Sequence, residues 1–323
     1  LPRLDAAIIF EKLAYGDTSA TAFMTIHNMV AWMIGEFAKR EVAEKYVPDM
    51  ITGEKLGSYC LTEPNAGSDA ASLKTKAVKN GDHYLLTGQK MFISGAGATD
   101  VLVVIARTAD NGAKGISAFI VDANAEGVSY GKNEHKMGWK NQPTAAVHFS
   151  NVKVPVENLL GEEGQGFTFA MKGLDGGRIN IGTCAVGTAQ AALDRAVQYV
   201  GERSQFGKTL NQFQSVQFKL ADMLTELVAA RQMVRLAAYH LDNGSPDATT
   251  YCAMAKRLAT DISFEVANQA LQLHGGYGYL QEYPLERHVR DLRVHQILEG
   301  TNEVMRMITA RNMMEDGALA RLQ

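Results

Sequence analysis

Residues 271–311 read LQLHGGYGYLQEYPLERHVRDLRVHQILEGTNEVMRMITAR. A glycine-rich turn (Gly275, Gly276, Gly278) is followed by a charge-dense turn of helix from Glu286 to Arg293. A single carboxylate, Glu299, then follows the apolar pair Ile297 and Leu298. Gly300 adds no side chain beside it. Thr301 is placed to cap a new helix whose first turn carries Glu303, favourable at the positive end of the helix dipole. Glu299 is therefore expected in a short connector, where it either points into a space or is an ordinary solvated loop carboxylate.

Outward from this stretch the helical period persists. Val216, Leu220, Met223, Leu224, Leu227 and Val228 mark one amphipathic helix, and Met254, Leu258, Ile262 and Val266 mark another. Asn243-Gly244-Ser245-Pro246 turns the chain between them. A long segment over 164–201 and a terminal helix over 302–321 bring the count to four, that of an up-and-down bundle filling 161–323. The methionine and apolar stripes read as core. One place breaks the pattern: LDGGR (174–178) sets two glycines inside a helix, which costs about 2 kcal/mol relative to alanine. Either close packing or a bound group must compensate.

Between Gly57 and about Leu160 the period changes to two. Lys74 to Lys79 and His83 to Gln89 flank Asn80-Gly81, a pair suited to a type I′ hairpin. VLVVIAR (101–107), GISAFIV (115–121) and TAAVHFS (144–150) are further strands, and their spacing predicts a small antiparallel barrel or sandwich over 57–160. Residues 1–56 are helical, with apolar spacing over 3–15 and 19–46, until Pro48 and Gly53 break it.

The 323-residue length allows two or three domains, and 46% hydrophobic content supplies an ordinary core. The net charge of -3 divides into -1 for residues 1–160 and -2 for 161–323. Neither half carries the basic excess that nucleic acid or an anionic membrane would attract. Cys60, Cys184 and Cys252 are odd in number and embedded in apolar segments, which predicts reduced, buried thiols inside a cell. They lack zinc-site spacing. No apolar run approaches the ~18 residues of a membrane span, no signal peptide opens the chain, and no GxGxxG follows a strand. The first residue is Leu1 rather than Met, as expected if a leader has been removed.

YCLTEPNAGSD (59–69), FIS (92–94), GLDGGR (173–178), ERSQFGKTL (202–210), HGGYGY (274–279) and ILEGTNEVMR (297–306) closely resemble, segment by segment, the signatures of the acyl-CoA dehydrogenase family. The resemblance covers nearly the whole chain. It implies an α+β multidomain fold: N-terminal helices, a central small antiparallel β-barrel and a C-terminal four-helix bundle. Family members carry further helices before the first residue here, so the N-terminal domain is expected to be truncated or reduced.

The cofactor implied is FAD. Tyr59, Leu61, Thr62, Gly67 and Ser68 match the family loop that lines the flavin and pyrophosphate, and Phe92, Ile93 and Ser94 match the strand that packs on the ring. Asn65 stands where many members have glycine. Arg203, with Phe213 and Gln214, matches the arginine that reaches the FAD of a neighbouring subunit. Gln272, Leu273, His274, Gly275 and Gly276 match the facing wall, and Thr301, Asn302 and Glu303 complete the set. Ser68, Asp175, Gly176, Gly177, Arg178 and Arg311 fall at substrate positions.

Some relatives place the base on the helix of LDGGR; Gly176 and Gly177 leave no carboxylate there, so the resemblance implies that Glu299 removes the α-proton while the β-hydride moves to the flavin. A denser resemblance to the short-branched-chain members of the family, carried also by FISGAGATD (92–100) and KMGWKNQPT (136–144), implies a short, branched acyl-CoA of the isobutyryl-CoA type, with butyryl- and 2-methylbutyryl-CoA as alternatives. Leu298, where many straight-chain members have tyrosine, agrees with it. Electron-transferring flavoprotein is the implied acceptor and a homotetramer the implied assembly. The expected compartment is the cytoplasm in a bacterium or the mitochondrial matrix in a eukaryote. Three relatives compete: an acyl-CoA oxidase, a DNA-binding protein of the alkylation response, and a non-catalytic scaffold.

Overall fold

In the computed structural model, which describes residues 1–315 and 317–322, the chain forms two compact units. One comprises 23–136 and 141–174, the other 1–22, 137–140 and 175–323. The first three helices are α1 (Arg3–Gly16), α2 (Thr18–Phe37) and α3 (Arg40–Thr52). Spacing predicted two helices before Gly53; the second is broken where Lys39 takes extended backbone (φ -61°, ψ 148°) and starts α3. Pro48 does not end the pattern, because it sits within α3 with Val42, Tyr46 and Met50 facing inward. Pro48 and Glu44 are both exposed, so water can take the carbonyl that the proline leaves unpaired.

The 23–174 unit is built on an eight-stranded sheet. Its strands are β1 (Gly57–Cys60), β2 (Lys76–Asn80), β3 (His83–Ser94), β4 (Val101–Arg107), β5 (Ile116–Asp122), β6 (Val128–Tyr130), β7 (Thr144–Pro155) and β8 (Leu159–Leu160). They run in the order β6-β7-β3-β2-β4-β5-β8, with β1 also on β4. The expected β domain is present, but its sheet is mixed: β1 and β2 both lie parallel to β4. Alternation within short strands marks which face is buried; it carries no information about the direction of a partner distant in sequence. Among the described residues no pairing joins β6 to β8.

The two faces of β4 and β5 have different neighbours. Val101, Val103, Ile105, Ile116, Ala118 and Ile120 pack against Val30, Met33 and Ile34 of α2 and Tyr46 and Met50 of α3. Leu102, Val104, Phe119 and Val121 face Leu86 and Ile93 of β3 and Val147 and Phe149 of β7. The hairpin falls one residue later than Asn80-Gly81 suggested. Asn80 pairs with His83, and only Gly81 of the two loop residues has positive φ (64°), the pattern of a type II′ turn.

The other unit is helical. It contains α1, α4 (Gly166–Glu202) from Asp175 onward, a small hairpin of β9 (Ser204–Gln205) and β10 (Lys208–Thr209), α5 (Gln214–Asp242), α6 (Ala248–His274), α7 (Leu285–Arg293), α8 (Asn302–Met313) and α9 (Ala318–Arg321). Small residues let the helices approach closely: Ala189, Ala192 and Ala196 of α4 meet Ala230 and Ala237 of α5 and Ala255, Ala259 and Ala267 of α6 in one core. The expected terminal helix over 302–321 is two pieces, α8 and α9, with Gly317 between them at φ 73°. Asp316 lies outside the described residues. Among the described residues no helix is long and apolar enough to cross a membrane.

Candidate active site

The connector before α8 is wound left-handed. Glu299 has φ 56° and Gly300 φ 87°. A residue with a Cβ costs about 1–3 kcal/mol to hold in such a conformation. Thr301 then caps α8 as anticipated, its Oγ1 accepting the N–H of Val304 at 3.3 Å. The turn directs the Glu299 carboxylate onto α4 at Gly177: a Cβ there would lie 2.2 Å from Glu299 Oε2. The preceding Gly176 is equally committed, since a Cβ would lie 2.8 Å from Arg3 Nη2 of α1. The two glycines that break the helical pattern are thus accounted for by a carboxylate and a guanidinium packed on the helix backbone.

Glu299 Oε2 is closed off from solvent and has no hydrogen-bond partner among the described residues. Burial pushes the carboxyl up to about 7, against the opposing positive charges of Arg178 and Lys256. Arg178 is 5% exposed and donates to Asp175 Oδ1 at 2.7 Å, while Asp175 Oδ2 accepts from Thr249 at 2.7 Å. The expected substrate pair Asp175 and Arg178 is therefore a buried ion pair next to Glu299. Behind the connector, Ala22, Trp139 and Ile181 pack with Val294 and Leu298. Of the apolar pair before Glu299, only Leu298 joins this packing; Ile297 is 51% exposed. Arg311 is exposed in the last turn of α8, and Glu303 is exposed near its start.

Two buried residues here were not singled out from the sequence. Lys256 of α6 is 0% exposed and donates to Gly300 O and to Asn302 Oδ1, both at 2.8 Å. Burial lowers its pKa to about 8. His295 is also fully buried, its Nδ1 bonded to Ile181 O at 3.1 Å, and burial holds it neutral with a pKa of about 4. Neither carries a signal in the sequence: a lysine followed by Arg257 reads as part of a solvated helix face, and a histidine beside Val294 as an ordinary core residue.

A separate cavity of about 510 Å³ in the helical unit is lined by Tyr199, Arg203 and residues 272–277, among others. Gly275 has φ 58°, and a Cβ on Gly275 or Gly276 would meet nothing within 4 Å. Arg203 lies over the Tyr277 ring at 5.6 Å, with no acidic partner among the described residues. An unpaired guanidinium beside open glycine backbone suits an anionic group such as a diphosphate. Gln272, Leu273 and His274 stand on the same wall; Phe213 and Gln214 begin α5, where Lys208 lies over the Phe213 ring at 4.2 Å.

In the β unit, the Leu61–Ser68 loop is tied to β3 by Met91 N–H donating to Thr62 O at 2.8 Å. A register shift between Lys90 and Ile93 throws Phe92 outward at φ 58°, 62% exposed. Ile93 points into the core, so it offers only backbone. Thr62 and Ser94 are half-buried, and Gly67 and Ser68 are exposed. Beneath the loop, Lys90 is fully buried, its Nζ donating to Leu61 O at 2.9 Å and Glu63 Oε1 at 2.8 Å. An outward aromatic ring flanked by hydroxyls is a donor set that fits a flat heteroaromatic ligand. Tyr59, on β1, and Leu61 belong to the packed layer under it.

Among the described residues no cluster of His, Cys, Asp and Glu could hold a metal ion, and all three cysteines are free and buried.

Comparison with known proteins matches the three segments in turn. Residues 1–54 fit the acyl-CoA dehydrogenase N-terminal domain, 58–152 the middle domain and 164–314 the C-terminal domain. The chain is 53% identical to mitochondrial isobutyryl-CoA dehydrogenase of Bos taurus, over 98% of this chain and 76% of that protein. It superposes on butyryl-CoA dehydrogenase of Megasphaera elsdenii with a TM-score of 0.93 at 45% identity, covering 96% of this chain and 81% of that one. It also superposes on a chain from a structure described as the electron transferring flavoprotein of Acidaminococcus fermentans, with a TM-score of 0.95 at 42% identity, covering 98% and 83%. The chain belongs to the acyl-CoA dehydrogenase family and is an oxidoreductase of that class.

Proposed function

We propose that this protein dehydrogenates a short, branched acyl-CoA of the isobutyryl-CoA type at the α,β-bond, with FAD as cofactor and Glu299 as the base. The observation that carries this reading is the Glu299 carboxylate: its Oε2 is shielded and unpartnered, and burial raises it to about 7. A carboxyl in that range can take a proton from carbon near neutral pH, where an exposed one is too weak a base. Asp175 and Arg178 are occupied with each other, which leaves Glu299 as the carboxylate free to react.

The α-proton is acidic only if charge on the thioester carbonyl is stabilised as it develops. The N–H groups of Ile297 and Leu298 both turn to Val294 O, whereas that of Glu299 has no acceptor among the described residues. It is the donor we assign to that oxygen. FAD, when bound, supplies the acceptor for the β-hydride. Thr62, Gly67, Ser68, Phe92 and Ser94, with Tyr59 and Leu61 behind them and the backbone of Ile93, are the residues we assign to its flavin end. Arg203, with Phe213 and Gln214, is assigned to the diphosphate of the FAD of a neighbouring subunit, residues 272–276 to the facing wall of the cofactor, and Thr301, Asn302 and Glu303 to cofactor contact around the connector. Gly176, Gly177 and Arg311, with Ser68, complete the substrate set.

The short-chain preference is supported by Trp139 and Ile181, which with Leu298 fill the space behind the connector. The 53% identity to a bovine isobutyryl-CoA dehydrogenase supports the branched one. We assign electron-transferring flavoprotein as acceptor, a homotetramer as the assembly, and the mitochondrial matrix or a bacterial cytoplasm as the compartment. An acyl-CoA panel with a dye or flavoprotein acceptor tests the substrate. Isobutyryl-CoA is expected to give the highest kcat/KM, with 2-methylbutyryl-CoA, one methylene larger, lower by about 10–200-fold, the worth of a methylene in an apolar pocket, and the unbranched isomer butyryl-CoA also slower. A maximum at octanoyl- or isovaleryl-CoA would overturn the isobutyryl-CoA assignment and leave the family membership standing.

A further inference from the structure

We propose that Lys256 is the positioning residue of the Glu299 connector, fixing where the carboxylate stands and, by its charge, how readily that carboxylate takes a proton. The inference rests on Glu299 being the base, and concerns a residue on another helix. Both acceptors of the Lys256 ammonium come from the connector and its helix start, Gly300 O and Asn302 Oδ1, at 2.8 Å each. Asn302 is itself anchored, donating to Thr260 Oγ1 at 2.9 Å and Asp261 Oδ1 at 2.7 Å. The bond to Gly300 O thus pins the left-handed pair Glu299-Gly300 from one side, and the Thr301 cap pins it from the other.

Packing does not call for a lysine here. Its helix neighbours Cys252, Ala253, Ala255 and Ala259 are fully buried and small, and burying an ammonium on two neutral oxygens is unfavourable. Among the described residues it has no carboxylate in a salt bridge. Two fixed cations face Glu299: Arg178 from α4 and Lys256 from α6. Arg178 is already paired with Asp175 at 2.7 Å, so Lys256 is the cation whose charge is not neutralised by an ion pair. Lys256 is faced in turn by Glu299, by Asp261 on its own helix, by Arg178 and by Glu303 of α8. His295, also near it, is held neutral by burial.

The test follows the Glu299 carboxylate directly in the purified holoenzyme. Its infrared band is isolated in 13C-glutamate-labelled protein as the difference from Glu299→Gln and titrated in the parent, Lys256→Met and Lys256→Gln. The midpoint is expected to rise by about one pH unit or more in both variants, as for removal of an opposite charge close to a carboxylate. The acid limb of kcat/KM should move by the same amount. Lys256→Gln, which keeps a donor for Gly300 O, should lose less kcat than Lys256→Met.

A loss of kcat at every pH with the midpoint unmoved would mean that the lysine only supports the fold, and would overturn the inference. If neither variant folds, the parent decides: the Glu299 band should show a second inflection at higher pH, where Lys256 loses its proton, and a single inflection overturns the inference. Activity of Glu299→Gln within about tenfold of the parent would instead overturn the base assignment, whatever the lysine variants do.

Discussion

At Glu299 burial and two nearby cations act in opposite directions, and burial prevails: the carboxyl rests near 7 rather than 4.5. Only the ionised form can act as a base, so kcat/KM should climb with pH up to about 7 and level off above it. Stability should move the other way. The folded state holds the proton more tightly than the unfolded chain, so stability falls as pH rises between the two values. Glu299→Gln, which cannot ionise, should therefore melt higher than the parent at alkaline pH, and an equal or lower Tm in a pH series would contradict the burial argument.

Gly177→Ala tests the same geometry from the helix side. The added methyl meets the mobile end of Glu299 at 2.2 Å, while alanine favours the helix by about 1 kcal/mol. Tm should hold or rise while kcat/KM drops by about a hundredfold, the effect of misplacing a reacting group by an ångström; intact activity would show that the carboxylate does not need that space. Glu299 and the paired glycines were legible in the sequence because a connector carboxylate and a double glycine in a helix each call for an explanation. Lys256 was not, because its meaning depends on residues 44 and 46 positions away.

Among the elements, the most consequential polar contact in the β unit is the Lys90–Glu63 pair. Burial pushes the Glu63 carboxyl up, but Lys90, together with donors from Thr75 and Lys74, outweighs it and holds it below the usual carboxylate range. The pair fixes the 61–68 loop on β3. Lys90→Met should cost about 3–5 kcal/mol by leaving a buried carboxylate unpaired, and adding Glu63→Gln should recover part of that in chemical denaturation. A single variant as stable as the parent would show that the loop is held by other contacts.

Helices with a clear 3.6-residue period were readable in the sequence, and so were most strands. Breaks and strand directions were less so. Lys39 interrupts a helical pattern whose apolar residues continue on both sides, and Pro48, a usual terminator, is tolerated because it is exposed. The parallel pairing of β1 with β4 joins residues 44 apart, a relation that local alternation cannot encode.

For the whole molecule, the resemblance assigns Arg203 to the cofactor of a neighbouring subunit, and its guanidinium, without an acidic partner among the described residues, is free for that role. Arg203→Ala should weaken FAD retention and assembly together, read as flavin loss on dialysis and a smaller mass in light scattering. A tetramer that keeps its flavin would place the arginine outside the cofactor site. The decisive experiment is an anaerobic titration with isobutyryl-CoA followed by the flavin absorbance. The parent should be yellow and bleach on addition of substrate. Glu299→Gln should bind the same ligand, seen as a perturbed spectrum, yet bleach slower by several orders of magnitude, because the amide keeps the shape and removes the base. Bleaching of Glu299→Gln within about tenfold of the parent rate, or a parent protein that binds no flavin, would contradict the assignment.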